Sequence, residues 1–324
     1  QEIRLNRSLS DSVYLTLGLY FFEQDMTYNE DRVLLAGAIA VNGGGVQNQS
    51  TKALFGQVDY DINDTLTLNF GARYTYEDKD VVISSLINAT ECDPRIPGSC
   101  SEDFKDKESW KNLTPKLGFQ WSKSDNVNVY GHWTKGVRSG GYNFRNGNQL
   151  IPPGPTDEEI VDAFELGYKA QLPDKKGTFN ASLFVNDISD MQREVLVADE
   201  NLGSSQVIRN TADARISGLE MESRIVLSDS LVMQASLGYL DGEYQKILFD
   251  ISGDGVVNNE DKSLKIPRLA PWTWGLGFIH STTLSNGRTL DSSINYSHRH
   301  SSAYTDNNTG YLNAVNAVDA SMTL

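Results

Sequence analysis

The residues able to do chemistry are few, and the sharpest set is the run Asp250-Ile-Ser-Gly-Asp-Gly-Val-Val-Asn-Asn-Glu-Asp261. Asp250, Ser252 and Asp254 put oxygens at the first, third and fifth places of a twelve-residue frame. Gly255 takes the sixth, where the chain must turn sharply. Val256 would lend its backbone carbonyl at the seventh, Asn258 stands ninth and Asp261 twelfth, where Glu is more usual. Calcium takes about 6–8 hard oxygens, and this spacing wraps them around one point. The expected role is a structural ion that pins the loop, in a protein that requires no cofactor. A plain Asp- and Gly-rich surface loop is the competing reading.

Three other places carry reactive or charged groups. Cys92 and Cys100 bracket a segment dense in turn residues, and there is no second cysteine pair to complete a zinc site. A small loop disulfide is expected, and with it an oxidising compartment. His298 and His300 alternate with Arg299, which puts both imidazoles on one strand face. They could start a metal or haem site, although solvated residues at a strand end is the preferred reading. Lys135, Arg138, Tyr142, Phe144 and Arg145 lie in one stretch leading into a predicted outer loop. Their cations and rings could meet an anionic chelate or a sugar; pairing of Lys135 and Arg138 with carboxylates is the slightly preferred alternative. No Gly-x-Ser-x-Gly elbow, phosphate loop, His-Glu-x-x-His pair or redox Cys-x-x-Cys occurs. A catalytic role is therefore not expected.

The elements that must position these groups repeat one pattern. From Leu66 the even positions read Leu68, Phe70, Ala72, Tyr74 and Tyr76, while the odd ones read Thr67, Asn69, Gly71, Arg73, Thr75 and Glu77. Side chains alternate faces along a strand, so this is a strand with one apolar and one polar face. Leu113 to Trp121, Phe164 to Leu172, Leu231 to Tyr239 and Val13 to Phe21 read the same way. Short turns fall near 9–12, 63–64, 124–126, 173–177, 228–230 and 285–287, rich in Asp, Asn, Ser and Gly. Long polar stretches fall at 29–50, 82–109, 139–158, 198–211, 249–266 and 306–316. Short turns alternating with long loops are the mark of an antiparallel transmembrane β-barrel, with short periplasmic turns and long extracellular loops, and the bookkeeping predicts about thirteen strands. A soluble sandwich fits less well, because its dry core would not tolerate the Lys, Arg and Glu of the polar face unpaired. Trp121, Trp133, Tyr168, Tyr239, Trp272, Trp274 and Tyr296 sit near predicted strand ends, where an interfacial ring can be half wet.

Composition agrees without deciding the matter. Of 324 residues 39% are hydrophobic and 22% charged, and 28 basic against 43 acidic side chains leave a net charge of -15. That balance excludes a nucleic-acid partner, which wants a basic face. A mean hydropathy of -0.40 reads as soluble, but barrel strands offer only alternate residues to lipid and keep the mean low.

Several segments are familiar in this order and spacing. Trp110-Lys-Asn-Leu-Thr-Pro-Lys-Leu-Gly-Phe-Gln-Trp121, followed by Asn128-Val-Tyr-Gly-His-Trp-Thr-Lys-Gly-Val-Arg-Ser-Gly-Gly-Tyr-Asn143, resembles the mid-barrel region of TonB-dependent outer-membrane receptors. So do Ala163-Phe-Glu-Leu-Gly-Tyr-Lys-Ala170, Asn180-Ala-Ser-Leu-Phe-Val-Asn-Asp-Ile188 and Ile216-Ser-Gly-Leu-Glu-Met-Glu-Ser223, so that the resemblance covers essentially residues 1–324 as one barrel domain. It implies an all-β fold of 22 strands around a plugged lumen. It implies a plug whose TonB box is pulled by TonB with ExbB–ExbD at the expense of the proton-motive force. The expected function is energised uptake of a scarce nutrient, a ferric siderophore or other iron complex first. Oligosaccharide or cobalamin import, a passive diffusion porin or an outer-membrane adhesin are the alternatives. The expected location is the outer membrane, with lipid around the barrel. The plug, the TonB box and the last two strands have no counterpart in this sequence. Gln1 lacks an initiator methionine and Leu324 stops in mid-pattern, so the chain is expected to be a piece of a longer protein.

Overall fold

The computed structural model describes residues 1–34, 39–84, 93, 95, 96, 98, 99, 103–145, 151–199 and 203–324. Thirteen strands form one antiparallel sheet in which each strand pairs with its neighbour in the chain. They are β1 (Glu2–Ser10), β2 (Val13–Leu34), β3 (Ile39–Asn63), β4 (Leu66–Ser84), β5 (Asp103–Ser124), β6 (Val127–Arg138), β7 (Glu159–Gln171), β8 (Gly177–Asp199), β9 (Gly203–Ser228), β10 (Leu231–Ile247), β11 (Trp272–Thr283), β12 (Thr289–Arg299) and, after two short strands, β15 (Val315–Thr323). The two short strands, β13 (Ser302–Ala303) and β14 (Tyr311–Leu312), pair with each other in the last long connection. Among the described residues one α-helix, α1 (Asn259–Ser263), follows β10, and one 3-10 turn, Pro173–Lys175, precedes β8. No helix among the described residues is long and apolar enough to cross a membrane.

Period-two patterning sets the register. Leu15 lies opposite Val58, Val58 opposite Phe70, and the row continues through Leu117, Trp133, Phe164 and Val185. One residue along, the other face reads Gln57, Gly71, Lys116, Thr134, Ala163 and Asn186. A one-residue slip between any two strands would exchange these rows, which is why the register is unambiguous. Phe70, Leu117 and Phe164 remain 45%, 47% and 49% exposed. A continuous band of half-exposed large apolar side chains needs hydrocarbon as its solvent, so this face is the outer, lipid-facing one and the polar face lines the lumen.

The short turns lie where the sequence places them, between β1 and β2, β3 and β4, β5 and β6, β7 and β8, β9 and β10, and β11 and β12. The turn before β8 is tight. Gly177 has φ +155°, and a Cβ there would stand 2.1 Å from the carbonyl oxygen of Arg224. Backbone cannot yield as a side-chain tip can, so Gly177→Ala is expected to cost about 1–3 kcal/mol, measurable as a lower urea midpoint for the intact parent protein.

The long polar stretches need correction. Strand β2 runs to Leu34 and β3 starts at Ile39, so most of 29–50 is sheet. Likewise β5 begins at Asp103 inside 82–109, and β8 and β9 occupy most of 198–211. Above the lipid band both faces meet water, so the apolar alternation that reveals a strand fades while the ladder continues. Segments 139–145, 151–158 and 248–258 are free of strand and helix, as expected of loops.

The sheet is open. β1 and β15 each pair with one strand and not with each other, and every residue of β1 is exposed. Bare backbone edges are not tolerated in hydrocarbon, so a membrane-spanning form requires further strands against both.

Candidate functional site

At the loop end, residues of the connections fold against the polar face. The first is the 139–158 connection between β6 and β7. Gly140 offers its carbonyl to Lys79 Nζ at 2.6 Å, and Ser139 Oγ lies 3.2 Å from the same nitrogen. Lys79 also pairs with Glu77 at 3.0 Å and stands 5.1 Å over the Trp110 ring. On the far side, Gln192 Nε2 of β8 donates to the carbonyls of Ser139 at 3.1 Å and Asp157 at 2.8 Å. Asn143 Nδ2 donates to Gln206 O of β9 at 3.0 Å, and Asn210 Nδ2 to Asp157 O at 3.0 Å. One segment is therefore fastened to β4 at one end of the arc and to β8 and β9 at the other.

Small apolar clusters seal these contacts. Val81, Ile83, Trp110 and Tyr142 are buried together, with Phe104 and Phe144 against them. Met191, Val195, Val207, Ala212, Ala214 and Tyr244 form a second cluster with Ile251 and Ile266 from the β10–β11 connection. Arg193 reaches from β8 to Asp306 in the last loop at 2.6 Å.

The five residues expected to meet a cargo separate in space. Tyr142 is buried, and its hydroxyl donates to Asp106 Oδ2 at 3.0 Å; burial and then that bond push its pKa well up. Phe144 packs edge-on to Tyr28 at 6.3 Å, and Arg145 pairs with Glu30 at 3.3 Å. Lys135 falls on the outer face, 3.5 Å from Asp162, whose carboxylate also accepts from Trp133 Nε1 at 2.9 Å. Arg138, paired in register with Glu159, is exposed on the polar face and has no ion-pair partner among the described residues. Of the five, Arg138 alone is left available to an anion in the lumen. Sequence reasoning missed Lys79, Gln192 and Asn210. Parity places Lys79 on the polar face, but nothing local shows that a loop 60 residues on will bond to it.

The 250–261 loop is closed by its own hydrogen bonds. Asp250 accepts from the backbone N–H of Gly253 and of Gly255, each at 2.7 Å, and Asp254 from that of Val256 at 2.8 Å. Asp261 is wholly buried, and its two oxygens accept from Ile251 N at 2.9 Å, Ser252 N at 2.7 Å and Asn258 N at 2.8 Å. Asn258 caps α1 in return. The twelfth-position carboxylate thus serves backbone donors instead of the centre of the loop, and among the described residues no group of three or more His, Cys, Asp or Glu side chains converges on a point. As arranged, these residues form a self-capped turn. Cys92 and Cys100 lie outside the described residues.

Lys79 is expected to be the fastener of the first connection. Its side chain is only 12% exposed. Lys79→Met would leave Glu77 without its cation, a loss of about 3 kcal/mol for a largely desolvated pair, read as new protease cleavage between residues 139 and 145.

Comparison with known proteins decides the family. The model described as TonB dependent receptor-like, beta-barrel matches residues 3–324. The chain belongs to the TonB-dependent receptor family. Its solved neighbours include the ferric yersiniabactin uptake receptor FyuA of Yersinia pestis, with TM-score 0.77 and 15% identity over 99% of this chain and 45% of that one. The copper transporter OprC gives TM-score 0.71 at 13% identity over 98% and 47%. The ferric-catecholate import receptor Fiu of Escherichia coli K12, closed form, gives 0.67 at 15% identity over 99% and 47%. Identities this low speak for the fold alone, and the chain spans about half the length of the structures it matches. These neighbours are receptors and transporters, not enzymes. A TonB-dependent receptor barrel resides in the outer membrane, in agreement with the lipid-facing band.

Proposed function

We propose that this chain is the barrel portion of a receptor that takes up a scarce small-molecule nutrient through the outer membrane, energised by TonB with ExbB–ExbD through a plug carried elsewhere in the parent protein. Membership of the family supports the reading, together with a polar face against which residues of the long connections are folded and fastened. An anionic iron chelate is the proposed cargo class. The fold neighbours include receptors for ferric yersiniabactin, ferric catecholates and ferric citrate, and Arg138 offers the lumen a guanidinium with no ion-pair partner among the described residues. Guanidinium binds carboxylates and related oxyanions in a two-pronged fashion.

Uptake of labelled ferric chelates by cells expressing the intact parent protein tests this. Accumulation is expected to fall to background when TonB is deleted or the proton-motive force is collapsed. Equal accumulation with and without TonB would make the barrel a diffusion porin. Parallel binding of ferric siderophores, haem, cobalamin and glycans to the purified receptor selects the cargo, and Arg138→Ala is expected to weaken an anionic one about tenfold.

A further inference from the structure

At the loop end of β12 two imidazoles stand side by side on the outer face. His298 and His300 have ring centres 6.2 Å apart at 59°. A metal about 2.0–2.1 Å from one nitrogen of each ring would set the centres about 5–6 Å apart, so a small rotation closes the gap. His298 is held on two sides. Its ring lies 5.7 Å from that of Trp274 on β11, and its Nδ1 is 2.8 Å from Asn316 Oδ1 on β15. The same oxygen accepts from the Tyr296 hydroxyl at 2.7 Å. With the oxygen accepting both, Nδ1 of His298 carries the proton and Nε2 presents its lone pair. An outer partner that fixes the tautomer and angle of an imidazole is the usual companion of a metal ligand. The backbone N–H of His300 donates to Trp272 O at 2.8 Å, which continues the ladder and fixes where that ring starts. Its side chain is exposed and makes no hydrogen bond among the described residues, so it is free to swing toward its neighbour.

We propose that His298 and His300 form a two-imidazole site for a divalent transition-metal ion, with Asn316 as the positioning residue. Imidazole nitrogens favour copper, nickel and zinc, with copper held most tightly of these, and disfavour calcium and magnesium, which want oxygen. No third His, Cys, Asp or Glu joins the pair among the described residues, so water or an external ligand fills the remaining positions. The site lies outside the lumen and does not depend on the cargo.

Titration of the intact parent receptor in detergent micelles with copper(II) alone, followed by electron paramagnetic resonance, tests the assignment. One bound copper showing nitrogen couplings from two imidazoles is expected. His298→Gln and His300→Gln are each expected to weaken binding at least tenfold and abolish the two-nitrogen signature. Asn316→Leu keeps both nitrogens and is expected to weaken binding about tenfold. His300 is exposed, so its variant leaves the fold intact and carries the test if the His298 variant does not assemble. Unchanged affinity and spectrum in His300→Gln would overturn the proposal.

Discussion

Arginine in place of Leu166 is expected to destabilise the barrel in a membrane by about 2–4 kcal/mol. Leu166 is 51% exposed and lies in register between Gly131 on β6 and Leu183 on β8, within the apolar band. A guanidinium near the bilayer midplane costs about 2–4 kcal/mol on the lipid face of a barrel. Ser182 on the neighbouring strand points to the other side, opposite Gly167 and Glu220. Ser182→Arg therefore enters a wet interior beside a carboxylate and is expected to change stability by less than about 0.5 kcal/mol. Urea titration of the intact receptor folded in lipid vesicles compares the two. A larger loss for Ser182→Arg than for Leu166→Arg would mean that the faces have been assigned the wrong way round.

Asp261→Ala is expected to release the whole 249–266 connection. The wild-type carboxylate is fully buried and accepts three backbone N–H groups. Each donor left unpaired costs about 1–3 kcal/mol, so a loss of about 3–5 kcal/mol is expected. Hydrogen exchange should show rapid loss of protection from Ile251 to Ile266, with β8 and β9 less affected. Acid should act in the same direction. Desolvation raises the pKa of Asp261, but the bonds from Asn258, Ser252 and Ile251 outweigh it and leave the value below the ordinary 3.8. A carboxylate lowered in the folded state stabilises it above the unfolded pKa, and that contribution fades as pH falls through the folded value. The loop should thus stay closed at pH 5 and open only below the usual aspartate range, whereas the alanine variant should be open at both.

The lipid band was the most legible part of the sequence. Leu66 to Tyr76 alternates so strictly that strand, face and register follow from it, and the number of sheet strands follows from the turns. Strand length was not legible. Val46-Gln-Asn-Gln-Ser-Thr51 carries no apolar row because both of its faces lie beyond hydrocarbon, yet it continues β3 against Asp25 and Asp80. The site was harder still. Tyr142, Phe144 and Arg145 have the chemistry of a binding surface, but Asp106, Tyr28 and Glu30, distant in sequence, consume it. The twelve-residue loop shows the same limit. Its spacing suits a cation, and the same spacing suits the backbone donors that Asp250, Asp254 and Asp261 satisfy. Conversely, the His298 and His300 pair gained meaning only when Asn316 was brought alongside from β15.

Residues 139–145 and 151–158, between β6 and β7, act as a chord drawn across an arc. Secured to Lys79 on one flank and to Gln192, Gln206 and Asn210 on the other, it stiffens the rim between them against outward flexing, much as a tie beam restrains a vault. The separation of those flanks is then a matter of side-chain reach: Ser139 and Gly140, neighbours in the chain, meet both Lys79 and Gln192, so cutting either side chain back should let the rim spread without disturbing the walls beneath.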